Sequence, residues 1–144
     1  MGRTILVPVD GSRPSRRAVE YAIEHFPDAS ITLMYVMDPM IDYGRRRAFP
    51  GYREDDEFVN EREKGEHVFE DLLAQVPEGI DVETELLAGE PARAIVRFAE
   101  EQDVDGIGLG SHGRQGAARY LLGSVAELVV RRSPVPVTVV RSNG

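Results

Sequence analysis

Two kinds of hydrophobic pattern alternate along this chain. Short apolar segments are typical of strands buried on both faces, and apolar residues at every third or fourth position are typical of amphipathic helices. The first pattern predicts five strands, at residues 4–9, 31–36, 80–87, 105–109 and 135–140. The second predicts a helix after each of the first four strands, with Leu73 and Leu122 among the inward-facing residues. Strands and helices in alternation indicate an α/β domain with one parallel sheet.

Two segments depart from this regular pattern. Residues 37–53 form a long irregular connection, and a connection of this length is expected to be either functional or disordered. The fourth strand contains Gly106 and Gly108, although glycine weakens a strand and often marks a close approach of the backbone. These glycines predict either a large helix residue packed on the sheet or a ligand held unusually close, and the sequence leaves both open.

Length and composition are those of one soluble domain, residues 1–144. The chain is 42% apolar, which is enough to build a core, and no apolar run is long enough to span a bilayer. The first strand begins at once, where a signal peptide would otherwise lie. There is no cysteine, so a disulfide framework and a thiolate metal site are excluded, and the three histidines lack metal-ligand spacing. These features predict a cytoplasmic protein without a bound metal.

The charge balance is strongly acidic. The formal net charge is −8 at pH 7, which argues against binding of nucleic acid through a broad basic surface. Of the 17 basic residues only Lys64 is lysine, which leaves 16 arginines. An acidic, lysine-poor surface stays hydrated in a salt-rich cytoplasm. We therefore favour a halophilic source over the alternative, a GC-rich genome that replaces lysine by arginine.

A cluster of glycines follows the fourth strand. Residues 110–124 read GSHGRQGAARYLLGS, in which two residues separate Gly110 from Gly113 and nine separate Gly113 from Gly123. Glycine lets the backbone approach a ligand closely, and a helix start offers unpaired N–H groups and the positive end of the helix dipole. Gly110, Gly113, Gly123 and Ser124 therefore predict two backbone cradles for one polyphosphate.

The same glycines allow other interpretations. Residues 108–113 also satisfy GxGxxG, but a dinucleotide site needs an acidic residue at the end of the next strand, where this chain has Arg141. A Walker loop is excluded because the sequence contains no GK[ST]. The glycines can also serve tight turns without a ligand. Ser124 and Glu127 match a capping box for the last helix, a role compatible with phosphate binding.

The first predicted strand ends in Pro8, Val9 and Asp10. Ligands of open α/β sheets bind at the carboxyl ends of the strands, and a carboxylate there can accept both hydroxyls of a ribose. The alternative role for Asp10 is that of a turn residue or helix cap. A phosphoacceptor receiver domain is excluded, since it needs an acidic residue in place of Val9 and a lysine in place of Arg141. Pro8 is expected where the strand ladder ends.

The spacing GxxGx9GS, with VPVDGS in the first strand and LAGEPARAIVRFA before the fourth, resembles the universal stress protein family over nearly the whole chain. The resemblance implies a three-layer, Rossmann-like α/β fold of the adenine nucleotide alpha hydrolase-like kind, with a five-stranded parallel sheet in the order 3-2-1-4-5. Because the glycine signature is intact, it also implies the subgroup that binds ATP. The residues implied for nucleotide binding are Pro8, Val9, Asp10, Val36, Leu109, Gly110, Gly113, Arg114, Gly123, Ser124 and Val125.

The function implied by this resemblance is that of a stress-response or signalling module in which ATP, with or without Mg²⁺, sets conformation or partner choice. Little or no turnover is expected and no catalytic residue is assigned. A slow ATPase or phosphotransfer enzyme is the alternative, although no general base is identifiable near the expected γ-phosphate and no carboxylate pair for Mg²⁺ accompanies the glycines. An empty scaffold is the third. The apolar last strand also predicts a homodimer through Val137–Val140, as is common in the family.

Overall fold

The computed structural model describes residues 2–38, 54–112 and 122–141. Within them the strands are β1 (Thr4–Pro8), β2 (Ser30–Met37), β3 (Asp81–Ala88), β4 (Gly106–Gly110) and β5 (Val137–Val140). The helices are α1 (Arg13–His25), α2 (Glu54–Leu73), α3 (Pro91–Glu101) and α4 (Ser124–Arg132). Every predicted strand and helix is therefore present. No helix in the described ranges is long and apolar enough to cross a membrane.

The five strands form one parallel sheet in the order β3-β2-β1-β4-β5, which confirms the expected topology. The central strand, β1, pairs with β2 from Thr4 opposite Ser30 to Pro8 opposite Met34. Its ladder thus ends at Pro8, where the sequence placed the end. The chain leaves β1 on one side for β2 and returns on the other side for β4. In open α/β sheets the crevice at such a switch point is where ligands bind.

Helices cover the sheet on both faces. The first core lies under α1 and α2, and its main strand residues are Val7, Ile31, Leu33 and Tyr35. The second core lies under α3 and α4, and its main strand residues are Leu6, Met34, Ile107 and Leu109. Neighbouring residues of one strand point to opposite layers, so a central strand needs apolar side chains at every position. This is why the strands of the sequence read as continuous apolar runs.

Two leucines that were expected to face inward are exposed. Leu73 is 41% exposed because its neighbour Leu72 takes the inward position at the end of α2, and adjacent helical residues point about 100° apart. Leu122 is 46% exposed because α4 begins only at Ser124, so Leu122 is not part of the helical stripe. Both predictions were wrong at an element boundary, where periodicity carries least information.

The glycines of β4 allow α1 to lie close to the sheet. A Cβ atom at Gly108 would lie 4.0 Å from the carbonyl oxygen of Ala18, an ordinary contact. At Gly110 the approach is tighter, and a Cβ atom would lie 2.7 Å from the carbonyl carbon of Pro14 and 2.9 Å from the Ser15 nitrogen. Among the described residues, a Cβ atom at Gly108 would meet the Val7 side chain and the Ala18 carbonyl, and one at Gly106 would meet the Ile5 side chain and the Pro136 carbonyl, so no large helix residue packs on these glycines. The first of the two expectations for Gly106 and Gly108 is therefore wrong.

The second helix buries a carboxylate that the sequence analysis did not single out. Glu61 is fully buried, with Oε1 accepting a long hydrogen bond of 3.5 Å from the Tyr35 hydroxyl and Oε2 lying 3.8 Å from Lys64 Nζ. Glu61, Gly65 and Phe69 follow at intervals of four residues and share one helix face. That spacing places Glu61 on the inward face of the helix, but a charged residue is normally expected to be exposed, so the sequence analysis did not predict its burial.

Candidate functional site

The turn from β1 into α1 forms the first side of the candidate site. Asp10 is half-buried there, and its Oδ1 accepts a hydrogen bond of 2.9 Å from the Ser12 backbone N–H. Ser12 is the N-cap of α1, since its Oγ accepts from the Ser15 N–H at 3.3 Å. Gly11 adopts φ +83°, a conformation that favours glycine. The turn role considered for Asp10 is thus confirmed, while the capping of α1 falls to Ser12.

The two residues after β4 form the opposite side. Ser111 is buried, its N–H donates to the Val140 carbonyl at 2.9 Å, and its own carbonyl accepts from the Gly123 N–H at 2.7 Å. The Ser111 hydroxyl lies 3.2 Å from Nδ1 of His112. Ser111 therefore joins the ends of β4 and β5 to the start of α4. The sequence analysis did not single it out, although its place inside the glycine motif was a usable signal.

Helix α4 begins beside this turn without a side-chain cap. Gly123 is its N-cap residue and Ser124 its first helical residue. The expected capping box is therefore wrong, because the capping hydroxyl has to precede the helix by one position. The Glu127 carboxylate instead forms an ion pair of 2.8 Å with Arg131.

The other helix starts that the structure describes differ from this one. Ser12 caps α1, and the Glu90 carboxylate accepts from the Ala92 and Arg93 N–H groups at the start of α3. At α4 no side chain of the described residues accepts from the first turn. Within the described residues its first N–H groups therefore have no side-chain acceptor, and together with the helix dipole they favour an anion.

Packing within the protein explains why Gly123 has no side chain. A Cβ atom there would lie 3.1 Å from the Cα atom and 3.3 Å from the Cβ atom of His112, and 3.5 Å from the Ser111 carbonyl oxygen. A side chain would press on the 111–112 backbone before it reached any ligand beside the helix. Gly123 and Gly110 therefore act by bringing three chain segments together at the edge of the sheet.

The remaining predicted residues reach this edge in different ways. Val9 and Leu109 are 4% and 5% exposed and belong to opposite cores, so only their backbone is available at the edge. Val36 and Val125 are half-buried against the core of α3 and α4, and Ser124 is exposed. Gly113 and Arg114 lie outside the described residues, as does most of the 37–53 connection. Within the described ranges no group of three or more histidine, aspartate or glutamate side chains is placed to hold a metal ion.

Comparison with known proteins identifies the family. The model of the universal stress protein family matches residues 1–141. A universal stress protein of Methanocaldococcus jannaschii is 35% identical over 147 residues, which cover 96% of this chain and 82% of that protein.

Solved structures agree with this assignment. Hypothetical protein MJ0577 is similar with a TM-score of 0.82 and 28% identity, over 100% of this chain and 99% of the other. A universal stress protein in complex with cAMP is similar with a TM-score of 0.68 and 26% identity, over 98% of each chain. The chain therefore belongs to the universal stress protein family.

Proposed function

We propose that this protein binds ATP at the carboxyl edge of its sheet, between the end of β1 and the start of α4. The observation that carries the proposal is the uncapped first turn of α4, held against the Ser111–His112 turn by a 2.7 Å backbone hydrogen bond. Backbone N–H groups at the positive end of a helix dipole form a favourable site for phosphate. The similar structure with cAMP supports an adenine nucleotide as the ligand.

The strand register supports the second half of the site. β1 and β4 pair with Leu6 opposite Ile107, so the same register continued past the strand ends brings Asp10 opposite Ser111. A ribose at Asp10 would therefore lie directly across the switch point from the phosphates at α4. We assign the adenine to the backbone at Val36 and further phosphate contacts to Gly113 and Arg114. ATP, with or without Mg²⁺, would thereby link β1, β2 and α4.

We further propose that turnover is negligible and that bound ATP sets the conformation or the partner of the protein. Phosphoryl transfer requires groups that position the nucleophile and neutralise charge. No general base is identifiable near the expected γ-phosphate, and the sequence places no carboxylate pair for Mg²⁺ beside the glycine motif. The alternative is a slow ATPase or phosphotransferase on the same fold.

The proposal is tested by denaturing the purified protein and identifying the nucleotide that is released. Release of ATP, or its binding by protein freed of nucleotide, is the expected result. Protein that neither carries nor binds an adenine nucleotide would refute the proposal. Phosphate release from Mg²⁺-ATP that exceeds that of a Gly123→Val variant would favour the enzymatic alternative.

We expect Asp10→Ala to weaken ATP binding by about 1.5–3 kcal/mol, the range for a hydrogen bond to a charged group. The loss should be much smaller for 2′,3′-dideoxy-ATP, which lacks the ribose hydroxyls that would donate hydrogen bonds to Asp10. Calorimetry with both ligands checks this. Because Asp10 also accepts from the Ser12 N–H, Asp10→Asn serves as a control that keeps an acceptor for the turn. Equal losses for both ligands would show that Asp10 acts only in the turn.

We also propose a homodimer formed through β5. In the described part of the chain β5 has a strand neighbour on one side only, and all four of its residues are half-buried. The strand Val137–Val140 carries no charge, and an uncharged edge strand is prone to pair with another chain. Two copies related by a twofold axis would bury this edge.

We expect Val139→Lys to convert the dimer into a monomer, because lysine on an edge strand opposes strand pairing. Light scattering at high salt measures the change. Thr84→Lys is the matched control, since Thr84 is exposed on β3, the opposite edge of the same sheet. It should leave the dimer intact. A parent protein that is monomeric at micromolar concentration, or a Val139→Lys variant that stays dimeric, would contradict this interface.

The acidic composition supports a further proposal, that the protein works in a salt-rich cytoplasm. The net charge of −8 makes the folded chain repel itself, and salt screens this repulsion. We therefore expect the midpoint of thermal unfolding to rise with KCl concentration. A midpoint independent of KCl would favour the GC-rich genome as the cause of the arginine bias.

A further inference from the structure

An arginine cluster stands out at the start of α1 in this acidic protein. Arg13, Arg16 and Arg17 are all exposed within the first turns of the helix, and its first turn contains no acidic residue. A cation near a helix N-terminus opposes the helix dipole, and like charges three and four residues apart repel one another. The arrangement is unfavourable for the protein alone and becomes favourable when an anion is bound.

In the described part of the chain, one of these three arginines forms an ion pair with a neighbour and the other two do not. The guanidinium of Arg17 forms an ion pair of 2.8 Å with Glu20, in which both side chains are about half exposed. Among the residues that the structure describes, no ion pair includes Arg13 or Arg16. The carboxylate that precedes them, Asp10, accepts from the Ser12 N–H. Arg13 and Arg16 therefore carry positive charge that no ion pair within the described residues balances.

The packing of α1 on β4 places these two arginines beside the glycine motif. Pro14 and Ser15, which lie between them in the sequence, are buried, and their backbone is so close to Gly110 that a Cβ atom there would lie 2.7–2.9 Å away. Gly110 begins the glycine signature and is followed by Ser111, whose carbonyl accepts a hydrogen bond from the Gly123 N–H at the start of α4. Arg13 and Arg16 directly precede and follow Pro14 and Ser15, so they lie in the first turn of α1, at the edge of the sheet where the phosphate site is proposed.

We propose that Arg13 and Arg16 bind the outer phosphates of the nucleotide, so that the site selects ATP over AMP. This inference rests on the proposed function and adds to it a residue pair that determines specificity. The first phosphate is bound by the backbone at α4, and this contact is the same for AMP, ADP and ATP. Each further phosphate adds negative charge, and arginine pairs with phosphate through two parallel hydrogen bonds.

The test compares Arg13→Gln, Arg16→Gln and Arg17→Gln by calorimetry with ATP, ADP and AMP. Each variant removes one positive charge from the same helix, so Arg17→Gln controls for the change in net charge. Arg13→Gln and Arg16→Gln should each weaken ATP binding roughly fivefold, the upper range for an exposed ion pair, and change AMP binding less than twofold. Arg17→Gln should leave all three affinities within twofold of the parent.

The outcomes separate this inference from the proposed function. A parent protein that binds none of the three nucleotides overturns both. The inference alone is overturned if the parent binds ATP and Arg13→Gln and Arg16→Gln keep the parent's affinity. The same holds if their losses of affinity are equal for ATP and AMP, or if Arg17→Gln loses as much. The inference is supported if only Arg13→Gln and Arg16→Gln lose affinity, with the largest loss for ATP, a smaller one for ADP and the smallest for AMP.

Discussion

Replacing Gly123 by valine is expected to abolish nucleotide binding. The Cβ atom alone would lie 3.1 Å from the Cα atom of His112, and the branched valine side chain adds two further carbons at this point. The start of α4 would have to move away from the 111–112 turn, and the 2.7 Å hydrogen bond between the Gly123 N–H and the Ser111 carbonyl would be lost. The phosphate site proposed here depends on that contact, so calorimetry should record no heat of ATP binding.

A folded variant is needed for this result to be informative. Circular dichroism checks that Gly123→Val keeps its helices and strands, and Gly123→Ala supplies a milder displacement if valine prevents folding. The alanine variant should bind ATP more weakly than the parent. Gly108→Ala is the matched control, since its added Cβ atom meets only ordinary contacts at 3.7–4.0 Å and lies away from α4. If a folded Gly123→Val variant bound ATP with the affinity of the parent, α4 would not be part of the nucleotide site.

The second large effect is on stability, from Gly110→Ala. A Cβ atom at Gly110 would lie 2.7–2.9 Å from backbone atoms of Pro14 and Ser15, which cannot rotate away as a flexible side chain can. The helix α1 would have to shift from the sheet or the strand end would have to move. Overpacking of this kind lowers the free energy of unfolding by about 1–3 kcal/mol, and more where backbone has to move. Urea unfolding measures it at one fixed protein concentration, so that the proposed dimer would contribute equally to every variant.

Gly108→Ala is again the matched control for this measurement. It adds the same methyl group two residues earlier on the same face of β4, where space is sufficient. Alanine also has fewer conformations than glycine in the unfolded chain, so this variant should be unchanged or more stable by about 0.4–1 kcal/mol. Equal losses in the two variants would mean that β4 simply requires glycine throughout. An unchanged Gly110→Ala would show that α1 does not approach β4 as closely as the structure has it.

Sequence reasoning worked best where the signal is local. The strands and helices were predicted because buried strands require continuous apolar runs and helices a period of 3.6 residues. Pro8 was placed correctly at the end of its ladder because it lacks an N–H group. Sequence reasoning failed where a single residue decides the boundary of a helix, as at Ser124. The capping-box pattern there depends on which residue begins α4, and the structure begins it with Ser124 itself.

By itself the sequence determined the element order, the acidic surface and the family signature, whose residues Asp10, Gly110 and Gly123 all fall at strand ends or helix starts. Only the tertiary structure showed which atoms a side chain at Gly110 or Gly123 would meet. The pairs Gly110 with Pro14 and Gly123 with His112 are distant in sequence or lie on separate elements, and spacing does not encode where a missing Cβ atom would point. It also decided that Glu61 is buried and that, among the described residues, Arg17 forms an ion pair while Arg13 and Arg16 form none. These properties depend on which surfaces meet after the helices pack on the sheet, and no local pattern carries that information.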